Sequence, residues 1–198
     1  FGGVMPDERN MNKLVELAAS VERKCDTRLD WISGINSSGL DLIAGGRMPK
    51  QVNHARLGEA ILLGRETTLR KPLPGTFQDA FLLHAEVLEL KRKPSIPVGE
   101  RSEDAFGKKP SFRERGKRLR ALLNVGREDI DPEGITALDP RVEILGASSG
   151  YLAVDVSDAE SRIKVGGTLS FSLNYSALLA AMTSNYVKKY VKIKPEDS

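Results

Sequence analysis

The sequence predicts two folds in succession, a parallel α/β segment over residues 1–77 and a mostly antiparallel β domain over residues 78–198. Helix and strand patterns alternate as far as the punctuated stretch Lys71-Pro72-Leu73-Pro74-Gly75. Beyond it, short apolar runs separated by turn residues replace the helices. The 198 residues, 40% of them apolar, supply an interior large enough to fold without disulfide or metal staples.

Phe1-Gly2-Gly3-Val4-Met5-Pro6-Asp7 reads as the exit from a strand into a capped helix. A chain that opens there without an initiator Met is expected to be a piece of a longer product. Met11, Leu14, Ala18, Val21 and Cys25 recur at helical spacing behind the N-cap candidate Asp7, which predicts an amphipathic helix with those five residues on its apolar face. Asp30 to Gly34 reads as a short strand. Asn36-Ser37-Ser38 then offers capping side chains to a helix whose buried part is Leu40, Leu42 and Ile43 and whose end is Gly45-Gly46. A second strand, Val52 to Arg56, runs into a short helix from Gly58 to Leu63 closed by Gly64.

In the β domain, Phe81 to Leu90, Arg118 to Val125, Val142 to Leu145 and Tyr151 to Val156 read as strands. Lys164-Val165-Gly166-Gly167 reads as a hairpin-type turn into a strand from Thr168 to Leu173, with a short helix at Ser176 to Met182. His84, inside an apolar run, is expected to be a packed strand residue.

Charge and cysteine content narrow the classes of function. The 30 basic and 27 acidic residues are spread evenly, with 11 Lys+Arg against 9 Asp+Glu in residues 1–77, so the basic pI of about 9.0 does not by itself call for nucleic acid. The local exception holds Lys108, Lys109, Arg113, Arg115, Lys117, Arg118 and Arg120, with Phe112 as its only ring. A single-strand binder interleaves several stacking rings with its charges, so this run is expected to be solvated, partly strand-edge surface. Cys25 has no partner within the chain, and no run of apolar residues is long enough to span a bilayer. A reducing, cytoplasmic setting is expected, with no membrane partner.

Two motifs have unremarkable readings. Gly146-Ala147-Ser148-Ser149-Gly150 matches a nucleophile elbow, but a strand follows it and both His54 and His84 precede it, the wrong order for a hydrolase triad; it is expected to be a turn between strands. The two histidines have no cysteine partner at metal spacing, so no zinc site is expected. The ends of the two early strands carry more chemistry. Small hydroxyl residues and glycine between a strand's carboxyl end and a helix's amino end attract an anion, and Asn53-His54-Ala55-Arg56-Leu57-Gly58 sets an arginine ahead of another such end. Two of these ends on neighbouring parallel strands could share one phosphate, and an ordinary pair of capped helices would have the same spacing.

The blocks Phe1 to Glu8, Ile32 to Ser37, His54 to Thr67, Gly126 to Gly134 and Ile144 to Ser149 resemble the pyridoxal-phosphate-dependent alanine/ornithine racemase family along essentially the whole chain. The resemblance implies the later half of a (β/α)8 TIM-type barrel over 1–77, followed by the family's carboxyl-terminal β domain over 78–198. It implies an amino-acid racemase of ornithine or alanine type that works through a pyridoxal 5'-phosphate (PLP) external aldimine on an amino-acid substrate, as a homodimer and without nucleic acid. Carried over, Asn36, Ser37, Gly58 and Glu59 form the phosphate cradle, Arg56 faces the pyridine nitrogen, and Tyr186 or Tyr190 reaches the phosphate. The Schiff-base lysine of the family lies outside this sequence, so a fragment inactive alone is implied.

The pattern departs from the family where Ile35 replaces a second glycine and Gly150-Tyr151 replaces Asp-His, and where no base stands near Val98. Asp104 and Tyr151, with Ser149 beside them, are therefore the candidates for completing the site of a neighbouring copy. Two other classes compete. A catalytically silent PLP-binding protein would usually lack the β domain. A non-enzymatic interaction fragment would use Lys108 to Arg120 as its surface.

Overall fold

A computed structural model describes residues 4–100, 107, 111 and 113–192 and divides the chain into two compact units, Phe1–Ala80 and Phe81–Ser198. In the first, helix α1 (Glu8–Cys25) begins at Asp7, whose carboxylate accepts the Asn10 N–H at 2.7 Å while Asn10 Oδ1 accepts the Asp7 N–H at 3.1 Å. This reciprocal cap satisfies amides that the first turn leaves without helical partners. Met11 and Ala18 are buried, whereas Val21 is 38% exposed and Cys25 is exposed. The predicted stripe is thus buried only over its first half.

Strand β1 (Ser33–Ile35) pairs in parallel with β2 (His54–Ala55), with Ser33 opposite His54 and Ile35 opposite Ala55. After β1 a 3-10 turn (Ser37–Gly39) leads into α2 (Leu40–Ala44), and after β2 comes α3 (Glu59–Leu63). Met11, Ile35 and Leu42 form the small core between helix and strand. Gly34 is required there, since a Cβ would stand 2.5 Å from Val52 Cγ1 and 3.0 Å from Met11 Sδ. Ile43, expected inside, is 48% exposed: a five-residue helix presents one buried face, and Leu42 takes it.

The second unit is a six-stranded antiparallel sheet built from β3 (Leu82–Pro94), β4 (Lys117–Leu123), β5 (Ile135–Ala137), β6 (Glu143–Ala147), β7 (Leu152–Asp155) and β8 (Thr168–Leu173), in the order β5-β8-β3-β4-β7-β6. Its core holds Val87, Leu123, Ile130, Leu152, Val154, Val156 and Phe171. Helix α4 (Tyr175–Thr183) starts at Asn174, whose Oδ1 accepts the Ala177 N–H at 2.9 Å, and packs Ala177 and Ala181 against that core.

Three expectations are corrected in this unit. His84 is exposed, because Leu83, Ala85 and Val87 take the core face of β3 and the period of two sends His84 outward; its Nδ1 lies 2.8 Å from Ser170 Oγ across the sheet. The basic run is not a strand edge: β4 lies between β3 and β7. Its charges meet acids, Arg118 bonding Asp155 at 2.9 Å and Asp158 at 2.8 Å and Arg115 bonding Glu143 at 2.6 Å. Lys108, Lys109 and Phe112 lie outside the described residues. Finally, the turn at Gly166 is preceded by a 3-10 segment (Ser157–Arg162) rather than a strand, and β8 pairs with β3 and β5, so it is no hairpin.

Candidate functional site

The parallel register of β1 and β2 sets their carboxyl ends side by side, and the Arg56 N–H continues the pairing to the Ile35 carbonyl at 3.0 Å. The two following loops are then joined by one side chain. Ser37 is 3% exposed, and its Oγ accepts the Ala60 N–H at 3.1 Å and the Gly58 N–H at 3.4 Å. Asn36 points elsewhere: its Oδ1 accepts from the Ser38 N–H at 2.9 Å and the Ser38 hydroxyl at 2.7 Å. The turn depends on Gly39, where a Cβ would fall 2.4 Å from Ile35 Cγ2.

Arg56 is exposed directly after β2. His54, two residues before it on the same strand face, packs its ring edge-on to Trp31 at 5.4 Å, and its Nδ1 is buried without a hydrogen-bond partner. Glu59 sits in the first turn of α3, 3.8 Å from Arg70. Burial pushes its carboxyl above the usual range, Arg70 opposes that shift, and Glu66 reinforces it. Glu66 is itself buried and accepts the N–H groups of Thr68, Leu69 and Lys71 at 2.7, 2.7 and 3.0 Å. The backbone hydrogen bond from Lys71, with those from Thr68 and Leu69, holds this carboxyl below the usual range against its burial.

A second cluster forms in the β unit from segments far apart in sequence. The β6–β7 hairpin tip, Ser148 to Tyr151, takes the N–H groups of Arg127 and Glu128 on the Ser148 and Ser149 carbonyls at 2.9 and 3.0 Å. A Cβ at Gly126 would stand 2.1 Å from the Ser149 oxygen, so only glycine admits this approach. Tyr151 is exposed beside the tip. Buried Asp129 accepts the Ser184 hydroxyl at 2.8 Å, and Ser184 Oγ accepts the Tyr186 N–H at 3.1 Å. Tyr186 and Tyr190 are both exposed. Asp104 lies outside the described residues.

Sequence reasoning placed Asn36, Ser37, Arg56, Gly58 and Glu59 near two strand ends, and those ends adjoin. It missed the Ala60 amide, the unpartnered His54 nitrogen, the Glu66 loop and the link between Asp129 and Ser184. The partners of Ser37 and Asp129 are 23 and 55 positions away and leave no local signal, whereas the Glu66 loop is local, its N–H donors standing two, three and five positions on. The hairpin tip is the turn expected of Gly146 to Gly150. Among the described residues, no group of His, Cys, Asp and Glu is placed to hold a metal ion, and no helix is long and apolar enough to cross a membrane.

No family model matches the chain. It is 41% identical over 189 residues to the ornithine racemase of Acetoanaerobium sticklandii, covering 96% of this chain and 54% of that protein. It is 39% identical to the lysine racemase of Thermotoga maritima, again over 96% of this chain and 53% of that protein. The chain thus spans about half the length of the curated relatives it matches. Among solved structures, an alanine racemase from Bartonella henselae with covalently bound pyridoxal phosphate superposes with a TM-score of 0.52 at 21% identity, over 85% of this chain and 44% of that one. A D-threonine aldolase from Filomicrobium marinum gives 0.55 at 14% identity, over 87% and 40%. The resemblance to the racemase family therefore holds along nearly the whole chain, and the fold is the one that alanine racemases and an aldolase share.

Proposed function

We propose that this chain is the carboxyl-terminal part of a PLP-dependent amino-acid racemase acting on ornithine or a similar basic amino acid, residues 1–77 forming later strands of its barrel and 78–198 its β domain. Ser37 carries this assignment. Its buried Oγ accepts two backbone N–H groups from the neighbouring strand end, which leaves the hydroxyl proton, the one donor of the group, to give to a phosphate oxygen. Gly58 and Glu59 belong to the same loop, Asn36 orders the turn before it, and Arg56 stands at the strand end with only donors to offer. These residues fit the cofactor. When bound, PLP supplies an electron-withdrawing ring that acidifies the substrate Cα–H.

Ser37, Gly58 and Glu59 hold the phosphate in this account. Arg56, which has only donors, would hold the pyridine nitrogen as an acceptor and keep it unprotonated, so that the ring would supply only weak electron withdrawal. The resemblance implies that none of the lysines in residues 1–198 carries the cofactor, so on this reading the chain alone is expected to be inactive. The second face is completed in a homodimer by β-domain groups of a neighbouring copy, with Asp104 and Tyr151 as candidates. A cytoplasmic setting suits a chain whose one cysteine has no partner within it.

The test is phosphorus NMR of PLP bound to the intact protein. A free phosphate titrates near pH 6. The bound resonance is expected to stay fixed between about pH 5 and 8, and Ser37→Ala is expected to weaken cofactor binding about tenfold. A bound resonance that titrates like free PLP and ignores Ser37→Ala would contradict the assignment.

A further inference from the structure

We infer that Arg70 is a positioning residue of the phosphate site: its guanidinium offsets the partly buried carboxylate of Glu59, so that an anion can be held at the loop to which Glu59 belongs. The inference rests on the PLP reading above and deepens it at the same strand ends.

The loop between β2 and α3 sets an acid among the groups assigned to the phosphate. Ser37 Oγ accepts the N–H groups of Gly58 and Ala60, the residues on either side of Glu59, at 3.4 and 3.1 Å. The Glu59 side chain is only 13% exposed. It is tied by its own short stem to that loop, so a phosphate held there stands within about 8 Å of it, the Debye length at physiological ionic strength. Negative groups that close, and partly out of water, repel each other. Arg70 removes the conflict, its Nη1 lying 3.8 Å from Glu59 Oε1. Glu66, whose charge also acts on Glu59, is already committed to the N–H groups of Thr68, Leu69 and Lys71.

The loop that carries Arg70 is held at both ends. Arg65 and Pro72 form an antiparallel bridge at its base, and the Glu66 N–H donates to the Lys71 carbonyl at 3.0 Å. Arg65 Nη1 donates to the Arg70 carbonyl at 3.2 Å. Arg70 itself has a φ of 57°, in the left-handed region that glycine occupies at least cost. An arginine kept where the backbone favours glycine points to a use for its side chain. That use is not packing, because the side chain is 63% exposed. An ion pair so exposed adds little to stability, and a purely structural role would leave phosphate recognition unchanged.

The experiment compares PLP with pyridoxal, which lacks the phosphate, in binding to the cofactor-stripped intact protein and its variants. Arg70→Gly removes the guanidinium at a backbone position that suits glycine, so the loop keeps its shape. It is expected to weaken PLP about tenfold and to leave pyridoxal affinity within about twofold. Arg70→Lys, which keeps the charge, should hold PLP within about threefold of the wild type. Adding Glu59→Gln to Arg70→Gly is expected to bring PLP affinity back to within about twofold of the wild type, the coupling of two charges that act on one ligand. The ratio of the two affinities is insensitive to partial unfolding, which lowers both alike. A wild-type ratio in Arg70→Gly would overturn the inference. So would a loss of PLP preference that Glu59→Gln does not relieve, since Arg70 would then act on the phosphate and not through Glu59. A wild-type protein that binds PLP no better than pyridoxal would instead overturn the PLP reading, and this role of Arg70 with it.

Discussion

In the proposed cofactor site, Arg56 supplies charge and Ser37 supplies geometry. An arginine at the end of a short strand is unremarkable by itself. It becomes informative beside a serine whose oxygen collects two amides from the very loop that Arg56 begins. The arginine cannot give up its proton, whereas a carboxylate in its place would accept a hydrogen bond and favour a protonated ring. Arg56→Glu in the intact protein is therefore expected to slow racemisation by at least tenfold and to raise the share of transamination products, read by chiral chromatography and keto-acid assay. An unchanged product ratio would leave Arg56 as a surface charge. The residues Arg56 and Ser37 were legible in the sequence as strand-end chemistry. The hydrogen bonds that give them meaning were not, because Ala60 meets Ser37 only once β1 and β2 lie parallel.

The elements show the same division between local and distant causes. Helix α1 was legible together with its cap, since an 18-residue helix and the Asp7–Asn10 pair are written in neighbouring positions. Strand β5 was not, because Ile135–Ala137 is three residues long and is defined by its pairing with β8. The solvent side of His84 and the interior place of β4 likewise depend on which strands lie alongside. The loop after α3 is organised by one buried carboxylate. Glu66 holds three backbone N–H groups in its ionised form, so its folded-state pKa lies below the unfolded value. Its stabilising contribution is therefore complete above the ordinary carboxylate range and is lost as the pH falls through the lower, folded-state value. Glu66→Ala is expected to cost about 1 kcal/mol at neutral pH, by removing the acceptor shared by the Thr68, Leu69 and Lys71 N–H groups, and to cost less as the pH is lowered. Denaturant titrations of the intact protein at pH 7 and pH 3.5 measure both. An equal penalty at the two pH values would mean that the side chain stabilises the loop by packing.

At the scale of the whole chain, fold and reaction separate. The solved structures of the same fold include alanine racemases and a D-threonine aldolase, so the fold leaves proton return and carbon–carbon cleavage both open. The relatives at 41% and 39% identity are an ornithine racemase and a lysine racemase, and the proposal of racemisation over cleavage rests on them. On the proposed reading, the ends of the two parallel strands serve the cofactor and the β domain serves the open face of a neighbouring copy. The most direct measurement follows ornithine on the intact protein with PLP in deuterated water, starting separately from each enantiomer, with D-threonine as a parallel substrate. The account predicts that L- and D-ornithine converge on the same near-equal mixture, that the newly formed enantiomer carries deuterium at Cα, and that D-threonine is not cleaved. Ornithine that keeps its configuration while D-threonine yields glycine would contradict it.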